Sequence, residues 1–122
     1  MITIQEQTWH TRTLYLLITE GVGSCQLDIY TDEHVENGVK ACIHNLWVVD
    51  EFRKGGTASE LMYAAEGLAR SAGVDAVYLE WDSRDTPRWV LEWYRRRGYD
   101  EVELDCSGCL MKLTFKDNHN TD

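Results

Sequence analysis

The chain has 122 residues, a length that suits one domain built around one hydrophobic core. Its formal net charge is −9, which argues against a nucleic-acid partner because binding a phosphate backbone requires clustered Lys and Arg. No apolar run approaches the ~20 residues of a membrane helix, and the N-terminus lacks the basic region and apolar core of a signal peptide, so we expect a cytoplasmic protein with no membrane partner.

Four strands are predicted in the first 49 residues. The segments rich in Leu, Ile, Val, Tyr and Thr are Ile2–Gln7, Arg12–Thr19, Ser24–Thr31 and Val39–Val49. Turn signals separate them at Gly21-Val22-Gly23 and at Glu36-Asn37-Gly38, and Asn-Gly is a strong hairpin signal. These four strands are expected to form an antiparallel meander.

The spacing of apolar residues becomes helical after Val49. Gly73 is the predicted C-terminal cap of a helix whose buried positions are Ala58, Leu61, Met62, Ala65, Leu68, Ala69 and Ala72. A strand with two distinct faces follows, because Val77, Leu79 and Trp81 alternate with Tyr78, Glu80 and Asp82.

A second helix is predicted from Thr86, its cap, through Pro87 in the first turn to Gly98, with one side formed by Trp89, Val90, Trp93 and Tyr94. Two strands near Asp100–Leu104 and Cys109–Phe115 complete the sheet. The order β-β-β-β-α-β-α-β-β predicts an α+β fold with a mixed, mostly antiparallel sheet flanked by helices. Residues 1–115 form the predicted single domain, and residues 116–122 form a polar tail.

A glycine-containing turn joins the fourth strand to the first helix and predicts an anion site. It reads Arg53-Lys54-Gly55-Gly56-Thr57-Ala58. Amide N–H groups at a helix start lie where the helix dipole is positive, and such sites bind phosphates. The glycines let the backbone approach the ligand, while Arg53 and Lys54 add positive charge. The phosphate loops GxxxxGK-Ser/Thr and GxGxxG do not occur in this turn.

At these residues the sequence resembles the GNAT superfamily of acyl-CoA N-acyltransferases. The pyrophosphate loop of that family follows the six-residue pattern R/Q-x-x-G-x-G/A. The segment Arg53–Ala58 matches this pattern. Leu46-Trp47-Val48 matches the Leu-x-Val pattern of the preceding strand. Tyr94, four residues before Gly98-Tyr99, matches the end of the family's second helix. The resemblance covers roughly residues 12 to 115.

The resemblance implies an enzyme that transfers an acetyl group from acetyl-CoA to a primary amine by direct nucleophilic attack, without a metal and without an acyl-enzyme. It implies that the coenzyme is bound by Leu46, Trp47, Val48, Arg53, Lys54, Gly55, Gly56, Thr57, Ala58 and Ser59. A covalent role for Cys42 is disfavoured because the sequence shows no adjacent activating base pattern. The acceptor is a small-molecule or protein amine.

The resemblance also implies the groups that move protons. Tyr94 matches the usual general acid of the family, and its alternative role is that of a core tyrosine. Two candidates for the base stay open. His44 shares a strand face with Cys42, Leu46 and Val48 by alternation, and several relatives place a His or Glu there. Glu80 shares a face with Asp82 and is the competitor, with a solvated edge as the alternative.

Two features differ from the family pattern. The helices that usually follow the first strand are missing, and Pro87 and Val90 stand where the family often has Asn and Ala. The open acceptor side predicts a homodimer, because an exposed apolar sheet face is normally covered. It also makes a non-catalytic acyl-CoA-binding or regulatory module the alternative function.

Tryptophans and cysteines have mainly structural interpretations. Trp47 is expected on the opposite face from His44, in the core, with an acceptor-pocket wall as the alternative; Trp81 and Trp93 are expected in the core. The four cysteines are expected to be reduced. Cys106-Ser107-Gly108-Cys109 is interpreted as a turn rather than a zinc site, because a lone CxxC lacks the second pair of ligands.

Overall fold

The computed structural model describes residues 1–31, 38–49, 55–105 and 108–115. The predicted order of elements is confirmed: β1 (Thr3–Thr8), β2 (Arg12–Thr19), β3 (Gly23–Tyr30), β4 (Ala41–Val48), α1 (Thr57–Ser71), β5 (Ala76–Asp82), α2 (Arg88–Arg96), β6 (Asp100–Asp105) and β7 (Gly108–Thr114). Neither of these helices has the length and apolar character needed to span a membrane. The predictions that fall outside the described residues concern Arg53, Lys54, Asn37, Cys106 and the tail 116–122.

All seven strands join one sheet in the order β1-β2-β3-β4-β5-β7-β6. Strands β1 to β4 form the expected antiparallel meander, and β5, β7 and β6 are also antiparallel. The parallel contact is between β4 and β5, where Cys42 pairs with Tyr78. The mixed, mostly antiparallel sheet is therefore confirmed, and its two halves meet at a single short pairing.

A β-bulge interrupts β4 at Asn45, which has a φ of 55°. The register pairs His44 with Gln26 but Trp47 with Ser24, so three steps along β4 match two steps along β3. An extra residue of this kind bends the strand and shifts every later side chain to the other face. The prediction that Trp47 faces away from His44 is therefore wrong: the two residues share a face.

Both helices lie on one face of the sheet. The Cys25 thiol on that face donates to the Leu61 carbonyl of α1 at 3.8 Å, and the Trp81 indole donates to the Pro87 carbonyl before α2 at 3.2 Å. The largest fully buried side chains of this core are Leu17, Cys25, Leu27, Leu61, Met62, Val77, Leu79, Tyr99 and Met111. Trp81 belongs to the same core, as predicted.

The other face of the sheet is called the open face here, and it carries Leu14, Asp28, Cys42, His44, Tyr78 and Glu80. No helix of the described ranges packs on it. Within residues 1–31, β1 connects to β2 through a short turn in which the Trp9 amide donates to the Arg12 carbonyl. The helices expected to be missing after the first strand are indeed missing.

The start of α2 differs from the prediction by one residue. Pro87 has φ −67° and ψ 158°, an extended conformation, and its carbonyl accepts the first bond of the helix from the Val90 amide at 3.0 Å. Pro87 is thus the N-cap, and the predicted cap at Thr86 is wrong. The predicted end of α1 is confirmed, because Gly73 follows the helix with a φ of 88° and donates to the Arg70 carbonyl.

Glu66, a buried carboxylate, joins α1 to the end of α2. Its Oε1 accepts a hydrogen bond from Arg97 at 2.9 Å, and its Oε2 accepts one from the Tyr99 hydroxyl at 2.8 Å. Burial and the neighbouring Glu66 raise the pKa of Tyr99, so this hydroxyl remains a donor at neutral pH. The contact positions the helix that lies beside the cleft described below.

Replacing Glu66 with Gln is expected to lower the free energy of unfolding by about 1.5 kcal/mol. The amide keeps the shape of the side chain but removes the negative charge that pairs with Arg97, and only one of its two end groups can accept a hydrogen bond from Arg97 or Tyr99. Urea denaturation measures the change. The control is Glu60→Gln on the exposed side of the same helix, which should have little effect. Equal stabilities of the two variants would contradict the role of Glu66.

Candidate active site

A cleft opens where β4 and β5 separate beyond the pair formed by Cys42 and Tyr78. The bulge at Asn45 bends β4 away from β5 at this level, and the resulting cavity has a volume of about 700 Å³. We call it the β4–β5 cleft. Its walls come from β4, the start of α1, β5 and α2, and its principal lining residues are His44, Leu46, Trp47, Val48, Gly56, Ala58, Ser59, Glu80, Asp82, Trp89, Trp93 and Tyr94.

One end of the cleft is the N-terminus of α1. Gly56 is the N-cap, with a φ of 87°, and its carbonyl accepts the first helical bond from the Glu60 amide at 3.0 Å. The amides of residues 57–59 precede that bond and lie at the positive end of the helix dipole. Among the predicted coenzyme residues, Leu46, Trp47, Val48, Gly56, Ala58 and Ser59 meet at the cleft. Gly55 is exposed beside it, and Thr57 is buried in the first turn.

Tyr94 of α2 lines the cleft. Its side chain is buried, and its ring packs against Trp93 at 5.4 Å and Tyr99 at 5.9 Å between centroids. Burial, with a smaller contribution from Cys25, raises the pKa of the Tyr94 phenol, while Arg97 opposes this rise. The phenol is therefore protonated at neutral pH and can act as a proton donor.

His44 lines the cleft from the open face and contacts a buried carboxylate. Its Nε2 lies 2.8 Å from Oδ2 of Asp28, whose side chain is 3% exposed. The oxygen is off the line of the ring N–H bond, so the contact is a close electrostatic approach rather than an aligned hydrogen bond. Arg12 lies on the far side of Asp28, with Nη1 3.5 Å from Oδ1.

Cys42 lies beside His44, with its Sγ 3.9 Å from Nδ1 of the ring. An imidazole is therefore adjacent to this thiol. The sequence had shown no adjacent base, and that reason for disfavouring a covalent role of Cys42 is wrong. Burial, followed by the charges of Glu80 and Asp28, raises the pKa of the Cys42 thiol to about 12. The resting group is a neutral thiol, which is a weak nucleophile, so a covalent role remains disfavoured for a different reason.

Glu80 and Asp82 share the open face, as predicted, and both line the cleft. Asp82 accepts hydrogen bonds from the Arg84 side chain at 2.9 and 3.1 Å and from the Arg84 amide at 2.9 Å, and these bonds lower its pKa. Glu80 is exposed at the cleft wall. Of these two carboxylates, Glu80 remains the second candidate base.

Aromatic side chains form the mouth of the cleft. Trp47 is 54% exposed and Trp89 is 58% exposed, and both line the cavity. Trp47 is thus not in the core, because the bulge at Asn45 turns it outward into the lining of the cleft. Its role as a wall of the acceptor pocket stays a prediction. Trp93 packs against the core with one side and lines the cleft with the other.

A sequence profile of the acetyltransferase (GNAT) family matches residues 3–99, most of the chain. The chain belongs to the acetyltransferase (GNAT) family. A search of curated protein sequences finds no match. The match extends from β1 into the residues that follow α2, so it includes the whole of α1 and all of the cleft wall from β4 and β5.

Solved structures share this GNAT fold at low sequence identity. The PaiA N-acetyltransferase from Thermoplasma acidophilum in complex with coenzyme A is 14% identical with a TM-score of 0.65, over 86% of this chain and 62% of that one. A GNAT family acetyltransferase from Elizabethkingia anophelis with acetyl-CoA bound is 14% identical with a TM-score of 0.66, over 93% and 98%. An acetyltransferase of the GNAT family from Staphylococcus aureus is 15% identical with a TM-score of 0.64, over 86% and 69%. This chain thus spans less than two thirds of the PaiA structure and nearly all of the Elizabethkingia one.

Two features of this cleft were not predicted from the sequence, namely the contact of Asp28 with His44 and the bulge at Asn45. Asp28 reads as an ordinary polar residue in an alternating strand, and only the pairing of β3 with β4 brings it to His44. Asn45 carries a weak signal, because Asn tolerates positive φ better than other residues with a Cβ. An Asn in the middle of a predicted strand is a recognisable, though not specific, sign of a bulge.

Proposed function

We propose that this chain transfers the acetyl group of acetyl-CoA to a primary amine of a small molecule or protein by direct nucleophilic attack. The observation that carries the proposal is the β4–β5 cleft, which runs from the α1 N-terminus at Gly56 to Tyr94 and His44. Membership of the GNAT family supports it. Coenzyme A or acetyl-CoA in two of the structures with this fold supports it as well.

Acetyl-CoA would occupy the cleft with its diphosphate at the start of α1. The amides of residues 57–59 offer donors there, and Arg53 and Lys54 come just before in the sequence. The glycine at position 56 leaves the approach clear, since nothing lies within 4 Å of the place a Cβ would occupy. The backbone of Leu46, Trp47 and Val48 would border the pantetheine arm and the thioester.

Two proton transfers accompany the reaction. An alkyl amine has a pKa near ~10 and is protonated at neutral pH, so a base must take its proton before or during attack. In the proposal His44 is that base, because its ring lies at the cleft wall beside a carboxylate, and exposed Glu80 is the alternative. Tyr94 donates a proton to the departing thiolate of coenzyme A.

Turnover with a panel of amines tests the proposal. The panel includes polyamines, amino acids, aminoglycosides and lysine peptides, and released coenzyme A is detected as free thiol. At least one amine should accelerate thiol release over the amine-free rate. Tight binding of acetyl-CoA without any amine-dependent release would instead favour the non-catalytic acyl-CoA-binding module.

Self-association through the open face is also proposed. The half-buried side chains Leu14, Leu16 and Ile18 lie on this face, and none of the described helices covers it. Sedimentation velocity at micromolar concentration should show a homodimer. Leu16→Asp, which places a charge in the middle of this apolar row, should shift the protein to monomer without loss of secondary structure. A monomeric parent chain at that concentration would contradict the proposal.

A further inference from the structure

A line of charged side chains crosses three strands on the open face and ends at the cleft. Arg12 of β2 contacts Asp28 of β3, and Asp28 contacts His44 of β4. Both contacts are diagonal, because Arg12 pairs with Tyr30 and His44 pairs with Gln26 in the sheet register. Side chains at such diagonal positions lie within reach when they are long or polar.

The burial of Asp28 costs free energy because its carboxylate is removed from water. The residue is 2% exposed, and its Oδ1 has no aligned hydrogen bond among the described residues. Burying a carboxylate costs several kcal/mol unless opposite charge and hydrogen bonds compensate it. Arg12 supplies the charge from one side, so a second compensating group is needed on the other, where Nε2 of His44 lies.

The buried carboxylate decides which ring nitrogen of His44 carries the proton. Nε2 is buried with Oδ2 of Asp28 at 2.8 Å, off the axis of the ring N–H bond, and a proton on this nitrogen is still attracted by that negative oxygen. A bare Nε2 lone pair would instead face that oxygen and repel it. The neutral ring therefore keeps its proton on Nε2, and the lone pair belongs to Nδ1.

We propose that Asp28 is a positioning residue that holds His44 as the Nε2–H tautomer, so that Nδ1 is the atom that accepts the proton of the acceptor amine. This role rests on the proposed acetyl transfer. The transferred proton moves from the amine nitrogen to Nδ1, and the resulting imidazolium is stabilised by the Asp28 carboxylate. Arg12 opposes that stabilisation, because its positive charge shares the same carboxylate.

Other polar and charged groups also lie around His44. Cys42 on the same strand is a neutral thiol next to Nδ1, and Glu80 on β5 adds a negative charge at the cleft. Tyr78 on β5 pairs with Cys42, and its ring lies against the Lys112 amine at 5.7 Å. These groups are left intact in the test, so only the two neighbours along the line of charge are changed.

Two substitutions along the line of charge test the proposal. Asp28→Asn removes the negative charge beside Nε2, so the preference for the Nε2–H tautomer should be lost. Arg12→Gln is the matched control, because it leaves the Asp28 carboxylate in place and should keep the tautomer. The ring nitrogens are followed by NMR, with His44→Gln used to assign the signals and exposed His10 as the reference.

The tautomer is read directly from the nitrogen chemical shifts of the neutral ring. Nε2 should carry the proton in the parent chain. In Asp28→Asn the side-chain amide can donate to Nε2, so part of the population should move to the Nδ1–H form. A parent ring protonated on Nδ1, or an Asp28→Asn ring that keeps the tautomer of the parent chain, would overturn the proposal.

Kinetics connect the tautomer to turnover. Asp28→Asn should lower kcat/KM by on the order of 10-fold, part of the roughly 10²–10⁴-fold that a positioned base contributes. Arg12→Gln should leave kcat/KM close to that of the parent chain. An unchanged kcat/KM in Asp28→Asn, together with a lost tautomer preference, would overturn the assignment of Asp28 to catalysis. A parent chain without amine-dependent turnover would overturn the proposed function, and the nitrogen shifts would still decide the tautomer.

Discussion

Replacing Tyr94 with Phe is expected to lower kcat by roughly 10²–10³-fold, because the departing thiolate of coenzyme A loses its proton donor. The substitution removes one oxygen atom at the end of the cleft and leaves the ring packing against Trp93 and Tyr99 in place. The affinity for acetyl-CoA should stay unchanged, since the ring is kept and the proposed donors to the diphosphate are the amides of α1. Steady-state kinetics with saturating amine and calorimetric titration with acetyl-CoA measure the two quantities.

Tyr99→Phe is the matched control for this substitution. Tyr99 is equally buried in the same aromatic cluster, but its hydroxyl donates to Glu66 and it does not line the cleft. The control should lose stability and keep kcat, whereas Tyr94→Phe should do the reverse. A normal kcat in Tyr94→Phe would show that the phenol is not the proton donor, and water would then take that role.

Replacing Gly56 with Val is expected to weaken acetyl-CoA binding by on the order of 10²-fold. Gly56 has a φ of 87°, a conformation that a β-branched residue rarely adopts, and it is the N-cap of the helix whose amides face the cleft. Val at this position shifts the backbone and brings two methyl groups to the approach of the diphosphate. Losing one or two charge-assisted hydrogen bonds of roughly 1.5–3 kcal/mol each accounts for the expected effect.

Gly73→Val separates loss of binding from loss of folding. Gly73 follows the other end of α1 with a φ of 88°, and nothing lies within 4 Å of its hypothetical Cβ, just as at Gly56. Both variants should lose roughly 2 kcal/mol of stability from the strained backbone. Only Gly56→Val should lose affinity for acetyl-CoA in calorimetry. Unchanged affinity in that variant would place the diphosphate elsewhere and undermine the whole assignment of the cleft.

The sequence was most informative where a feature depends on neighbouring residues. Alternation in Val77–Asp82 correctly separated the buried face of β5 from the face with Glu80. The glycine turn before α1 and the Gly73 cap were also predicted correctly, because both follow from local backbone preferences. The error at the start of α2 was local too: a Pro can occupy either the first helical position or the cap, and its extended ψ decides between them.

The sequence by itself determined the order of elements, the meander, the glycine-capped start of α1 and the tyrosine of α2. Only the tertiary structure decided that the bulge at Asn45 opens β4 from β5 and turns Trp47 to the face of His44. It alone placed Asp28 against that imidazole, with Arg12 behind it. The physical reason is that helix and strand periods repeat over a few residues and can be read locally. Strand register instead brings together residues that are far apart in the chain, such as positions 28 and 44, which are 16 residues apart. A single extra residue in one strand then changes which side chains share a face.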